Sequence, residues 1–230
     1  MNAYNKSQEM LIMVARALGD ELLKEVAFIG GCTTGLLLTD DISKEAVRYT
    51  DDVDLIVNVM GYPGWLNFLK KIKARGFKES MEDDVNCRMR IDGLIVDFMP
   101  DDEAILGYSN RWYAQALKEA ESVELEGDVI IKVVPSILFV ATKLEAYKGR
   151  GNNDPLHSRD VEDILSVIDG RAELVSEFHP VNTELKKYIK YELNELYKHA
   201  DFDYAVQAAS QGLSDREELI FSRLDEIKNS

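Results

Sequence analysis

The chain has 230 residues, enough to bury the core of one large domain, or of a catalytic domain with a smaller helical partner. Its 27 basic residues stand against 42 acidic ones, a formal charge of −15, which disfavours a long sequence-independent track for nucleic-acid phosphates. A local basic pocket remains compatible with that charge, because salt screens surface charges from one another over about 8 Å.

Met10, Leu11, Val14, Ala15 and Leu18 recur at helical spacing and predict an amphipathic helix over residues 3–18 that stops at Gly19. Val26 to Ile29 reads as a short buried strand halted by Gly30 and Gly31, and Thr33 to Leu38 begins a helix straight after that turn. Val53 to Val59, rich in β-branched residues, is a second strand, and Trp65, Leu66, Leu69 and Ile72 mark a helix ending at Gly76. Cys87 to Ile91 and Leu94 to Met99 flank Asp92-Gly93, a dipeptide suited to the positive φ angles of a two-residue hairpin turn, so these strands are expected to pair antiparallel. Val129 to Val134 is a further strand. Pro135 opens a helix through Phe139 and Leu144 that runs to the Gly149-Arg150-Gly151 break.

Beyond the break the periodicity is helical, at Val161 to Ile168, Leu185 to Tyr197 and Leu219 to Ile227. An α/β (α+β) fold follows as the expectation: a mixed sheet flanked by helices over residues 1–134, and a helical C-terminal lobe over 135–230. No apolar run reaches the roughly 18 residues of a membrane span, and the opening segment lacks the pattern of a signal peptide. A cytoplasmic protein with no membrane partner is expected. Cys32 and Cys87 have no zinc-like spacing and read as small apolar residues of a reducing compartment.

Chemistry concentrates around Asp52-Val53-Asp54. A strand's period of two sets both carboxylates on one face, about 6.6 Å apart along the chain, and sends Val53 into the opposite layer. Mg²⁺ takes carboxylate, water and phosphate oxygens, so two such ligands call for a third acid nearby. Asp97 is the candidate, because Val96-Asp97-Phe98 sets an acid into an apolar strand where an isolated charge is costly without a cation. Acidic pairs are common on solvated strand faces, and the pair gains meaning from the turn before it. Gly30-Gly31 lets backbone approach a phosphate closely, and the helix that follows offers unpaired N–H groups, with the Thr33 and Thr34 hydroxyls as further donors.

The order Phe28-Ile29-Gly30-Gly31, then Asp52-Val53-Asp54, then Asp97 resembles the nucleotidyltransferase superfamily with the DNA polymerase β-like fold. Arg48-Tyr49-Thr50-Asp51-Asp52-Val53-Asp54 is similar to the Arg-x-Thr/Ser-x-Asp-h-Asp signature, h being apolar, of the AbiEii-type toxin nucleotidyltransferases. Lys143-Leu144-Glu145-Ala146 and Asp160-Val161-Glu162-Asp163 match that family's later Lys-x-x-Ala and Asp-x-x-Asp helices, and Arg150 resembles another of its basic positions. The resemblance runs in order from Phe28 to Asp163. Cys32 departs from it, standing where Ser or Thr is usual, so Thr33 is the expected source of the phosphate-binding hydroxyl.

The resemblance implies transfer of NMP from an NTP such as ATP. Asp52, Asp54 and Asp97 would hold Mg²⁺ or Mn²⁺. Gly30, Gly31, Thr33, Arg48, Thr50, Lys143 and Arg150 would serve the nucleotide, and Asp160 would act as base or orient Lys143. Lys143 is expected to face the three aspartates from across a cleft. The acceptor is left open among tRNA, protein and small molecule, and a toxin-like chain implies an antitoxin partner. A non-catalytic nucleotide-binding or protein-interaction module that retains the fold is the competing expectation. A metal-dependent nuclease would use the carboxylates but leave the Gly-Gly turn without a task.

Overall fold

Asn2 opens the first helix, its side-chain oxygen accepting from Asn5 N at 2.9 Å, in the computed structural model, which describes residues 2–80 and 86–230. Helix α1 (Ala3–Leu23) buries Met10, Leu11, Val14, Ala15 and Leu18 as expected, and Gly19, at φ 69°, interrupts it before a last turn. Strand β1 (Val26–Ile29) is buried at every position, and a 3₁₀ turn (Gly31–Thr33) leads into the short α2 (Thr34–Leu37) and α3 (Asp41–Glu45). Strand β2 (Asp52–Val57) and helix α4 (Gly61–Ala74) follow, then β3 (Arg88–Ile91) and β4 (Leu94–Pro100). Asp92 and Gly93, at φ 48° and 84°, make the expected turn between the last two. Next come α5 (Glu103–Leu106), α6 (Tyr113–Lys118), β5 (Glu121–Leu125) and β6 (Val129–Val133). Six helices complete the described chain: α7 (Ser136–Arg150), α8 (Arg159–Gly170), α9 (Leu174–Phe178), α10 (Thr183–Tyr197), α11 (Phe202–Ala209) and α12 (Ser214–Asn229).

The strands form one mixed sheet in the order β3-β4-β2-β1-β6-β5, which makes the fold α+β. β2 runs parallel to β4 and antiparallel to β1, and β1 is parallel to β6; the β3–β4 and β5–β6 pairs are antiparallel. Alternation along β4 separates chemistry from core. Asp97 and Phe98 are neighbours in sequence, and the Phe98 ring meets Phe68 and Phe77 edge-on, with centroids 5.5 and 5.3 Å away.

The chain divides into two units, Met1–Gly35 with Arg48–Pro135, and Leu36–Val47 with Ser136–Ser230. A boundary at 134/135 leaves Leu36–Val47 with the sheet, whereas this segment groups with the C-terminal helices. Its anchors are polar and local to that unit. Thr39 N and Asp40 N both donate to Gly170 O at the end of α8, at 2.9 and 3.0 Å, and Arg216 of α12 pairs with Asp40 at 2.7 Å and Asp169 at 2.5 Å. Arg216 and the Ser43 hydroxyl also explain why the Asp40 carboxyl is lowered to about 2, with the Ser43 hydrogen bond the largest cause. Among the described residues no helix is long and apolar enough to cross a membrane.

Candidate metal centre

Strand geometry places the first two carboxylates as expected: Val53 is fully buried, while Asp52 and Asp54 on the alternate face are half-buried. The parallel register sets Asp97 of β4 beside Asp54 of β2. One carboxylate oxygen from each of Asp52, Asp54 and Asp97 then lies within 4.8 Å of the others. Three anionic oxygens at that separation suit a hard divalent cation, which prefers oxygen ligands and offsets their mutual repulsion. Acidic groups also cluster without metal, so their surroundings matter.

β1 ends at Ile29 opposite Asp54, which brings the Gly30-Gly31 turn against that carboxylate. Gly30 has φ 82° and ψ −174°, and a Cβ built there would overlap Asp54 Oδ2 and stand 2.7 Å from Asp54 Cγ. Gly31 admits a neighbour in the same way, since a Cβ on it would collide with the end of the Arg48 guanidinium. Gly30, Gly31, Arg48 and Asp54 thus share one small region. Thr50 and Thr33 have other employment. Thr50 is buried and donates its hydroxyl to Asp52 Oδ1 at 2.5 Å, so it orients a carboxylate instead of meeting a nucleotide. Thr33 is fully buried and donates to Gly30 O at 2.9 Å, which corrects the expectation that it offers its hydroxyl to phosphate. Its one donor hydrogen is spent on holding the turn.

Arg88 is the residue that sequence reasoning missed. Asp97 is only 8% exposed, and Arg88 supplies the cation its burial requires, donating from Nε to Oδ1 and from Nη2 to Oδ2, both at 2.8 Å. The signal was available, because counting outward from Asp92-Gly93 pairs Ile91 with Leu94, Arg90 with Ile95, Met89 with Val96 and Arg88 with Asp97. Two buried thiols, Cys32 and Cys87, are influenced by the same aspartates. Burial pushes both up, Cys32 beyond the ordinary range and Cys87 to about 11, with the neighbouring aspartates adding to it.

No family model matches the chain, and no curated protein matches it. Its chemistry therefore has to be read from its own residues.

In the helical unit, Lys143, Arg150, Asp160 and Asp163 form one ion-pair network. Lys143 Nζ lies 2.6 Å from Asp163 Oδ2 and 3.2 Å from Asp160 Oδ1, while Arg150 clamps both Asp160 oxygens at 2.8 Å. Lys143 and both aspartates are buried, whereas the Arg150 side chain is 71% exposed. Burial alone would raise the Asp160 carboxyl, but the Arg150 hydrogen bonds and the Lys143 charge outweigh it and hold the group below its ordinary value. Asp160 thus receives both cations, Lys143 on one oxygen and Arg150 on both. The Lys-x-x-Ala and Asp-x-x-Asp segments meet because α7 and α8 pack together, which sets the buried Lys143 ammonium between two acids.

Proposed function

We propose that this chain is a metal-dependent nucleotidyltransferase that moves NMP from an NTP to an acceptor hydroxyl. The meeting of Asp52, Asp54 and Asp97 oxygens within 4.8 Å, against a Gly-Gly turn, carries this reading. The donor set fits Mg²⁺ or Mn²⁺, and such an ion would neutralise charge on the triphosphate and on the departing pyrophosphate. Asp52 and Asp54 of β2 would hold it, with the Asp97 carboxylate of β4 beside them. Thr50 fixes the Asp52 carboxylate, and Gly30-Gly31 leaves room for phosphate beside the backbone, with the Arg48 guanidinium against the turn. The acceptor oxygen bonds to the α-phosphorus as the bond to pyrophosphate breaks, and Asp97 is the carboxylate assigned to a second ion or to the acceptor's proton.

The order of motifs resembling toxin nucleotidyltransferases favours tRNA or protein as acceptor and an antitoxin as partner, while the charge of −15 favours a small molecule over a long nucleic-acid track. A cytoplasmic location, where NTPs are abundant, goes with either. Incubating the protein with each labelled NTP, Mg²⁺ or Mn²⁺ and a cell extract, then identifying the labelled product, tests the proposal and names the acceptor. A nucleotide-binding or interaction module without turnover is favoured by one observation, the Arg88 fork on Asp97. Nucleotide bound with no label transferred in that incubation would decide for it.

A further inference from the structure

Helix α4 buries one face and leaves an apolar group on the other. Trp65, Phe68 and Ile72 are buried, Phe68 meeting Phe98 of β4 edge-on at 5.5 Å. On the outer side Met60, at the helix start, is 90% exposed, Tyr62 58% and Leu66 49%. Tyr62 and Leu66 are one turn apart, and Met60 covers the bare Gly64, where an added Cβ would stand 3.9 Å from Met60 Cβ. Single apolar side chains are ordinary on a surface, but a contiguous group marks a place where something binds. The same stripe continues to Lys70 and Lys73, roughly two and three turns beyond Tyr62. Lys71, Arg75 and Lys78 are exposed beside them, and residues 60–78 contain no Asp or Glu in a chain that has 42. Lys71 and Lys73 are held by Glu25 and Glu79 at 2.6 and 2.9 Å, while Lys70 makes no ion pair among the described residues. The helix dipole favours lysines near a C-terminus, yet it does not account for the apolar group at the other end.

We propose that the outer stripe of α4 is the docking surface for an acidic amphipathic helix of a partner protein, laid antiparallel along it. Apolar residues of the partner cover Met60, Tyr62 and Leu66, and its acids meet Lys70 and Lys73. The direction follows from charge. Carboxylates are favoured in the first turns of a helix and ammonium groups in the last, so an antiparallel partner brings its acidic N-terminal turns to the basic C-terminal turns of α4. The partner helix thus carries acids first and an apolar i, i+3, i+4 stripe about two turns later. Nucleic acid suits only the cationic half, because phosphates gain nothing over Met60 and Leu66. A two-fold contact between copies of this chain sets the lysines either on each other or on the apolar turns. The docking draws on neither metal nor nucleotide.

Fluorescence anisotropy tests this with a labelled synthetic helix that has glutamates in its first two turns and a leucine stripe in its last two. The wild type should bind it at least about tenfold tighter than the same peptide with lysines in place of the glutamates, and tighter than a peptide with the two halves exchanged. Tyr62→Ser/Leu66→Ser should weaken binding about tenfold at any salt concentration, and Lys70→Glu about fivefold at low salt, with that loss shrinking as salt rises. These side chains are exposed, and urea unfolding checks that each variant is folded; Leu66→Ser alone serves if the double variant is not. Absence of saturable binding, or equal binding of the glutamate and lysine peptides, overturns the docking of an acidic helix, and equal binding of the exchanged peptide overturns its direction. Labelled single-stranded RNA that is lost in Lys70→Glu but kept in Tyr62→Ser/Leu66→Ser assigns the stripe to nucleic acid and overturns the protein partner. A dimer in light scattering that Leu66→Ser dissociates overturns it equally, in favour of a second copy.

Discussion

The Asp54 carboxylate rests on the backbone of Gly30: a Cβ added to that glycine would overlap Asp54 Oδ2 and lie 2.8 Å from Asp54 Cβ. The turn and the acid are therefore one structural unit, joined by the pairing of Ile29 with Asp54. Gly30 also has φ 82° and ψ −174°, a backbone region that side chains other than glycine's enter at a cost of about 1–3 kcal/mol.

Gly30→Ala should for these reasons lose at least ~2 kcal/mol of stability, combining backbone strain with displacement of a carboxylate that cannot retreat into the packed sheet. Mn²⁺ binding should fall with it, because Asp54 is pushed out of reach of Asp52 and Asp97. Urea unfolding and metal titration check the two effects separately. An alanine variant with wild-type stability and wild-type metal affinity would show that the turn and the acid are not coupled.

Lys143 stands between Asp160 and Asp163, and Asp163 is fully buried. Replacing Lys143 with Met keeps most of the apolar stem but removes the cation 2.6 Å from a fully buried carboxylate, and breaking a buried pair in this way costs about 3–5 kcal/mol. The expected result is a large drop in the urea midpoint with an unchanged slope, independent of any nucleotide. A loss below ~1 kcal/mol would mean that water reaches the network, since only solvated ion pairs are that weak.

Acid should weaken the same network in a defined direction. Asp160 titrates below its ordinary value in the folded protein because Arg150 and Lys143 favour the anion in spite of burial. A lowered folded value means that the unfolded chain takes up the proton first. The contribution of Asp160 is thus full above the unfolded value of about 3.9 and is lost as pH falls through the lower folded one. Asp160→Asn should be less stable than wild type at neutral pH, and the gap should narrow below about pH 4. Denaturant unfolding at a series of pH values reads this directly, and a constant gap down to pH 2 would rule out the linkage.

Local pattern was enough for the elements nearest the candidate centre. Four consecutive apolar residues before Gly30, β-branched residues after Asp52 and the Asp92-Gly93 turn all describe strands whose neighbours lie close in the chain or whose faces are fully buried. Strand β5 was not legible because it is an edge whose alternation is only four residues long, with the half-buried Val123 and the buried Leu125 alternating with the exposed Ser122 and Glu124, too short a pattern to mark a strand. The placement of Leu36–Val47 was hidden for another reason. Its partners Gly170, Asp169 and Arg216 are more than a hundred residues away, and nothing local marks a polar anchor of that range. The three acids were readable from strand period, but Thr33 and Thr50 were not, since a hydroxyl that serves phosphate and one that ties a turn or an aspartate look alike in sequence. Arg88 needed only the hairpin count, together with the question of which cation compensates Asp97.

Asp54→Asn and Asp52→Asn test the chemistry most directly. Asparagine keeps the volume and one carbonyl oxygen, so at position 52 it can still accept from Thr50 Oγ1, but it removes the charge that holds a divalent ion against a triphosphate. Transfer of labelled NMP should fall more than roughly 100-fold, since metal ions supply several kcal/mol of transition-state stabilisation and each ~1.4 kcal/mol is about tenfold in rate. The fold should survive. Metal-free thermal unfolding is expected at or above the wild-type temperature, because three carboxylate oxygens within 4.8 Å repel one another and each substitution relieves that repulsion. Added Mg²⁺ should raise the unfolding temperature of the wild type and not of either variant, a readout that needs no acceptor. A folded Asp52→Asn/Asp54→Asn protein that still transferred NMP at the wild-type rate would sink the metal mechanism, whatever the geometry of the three acids.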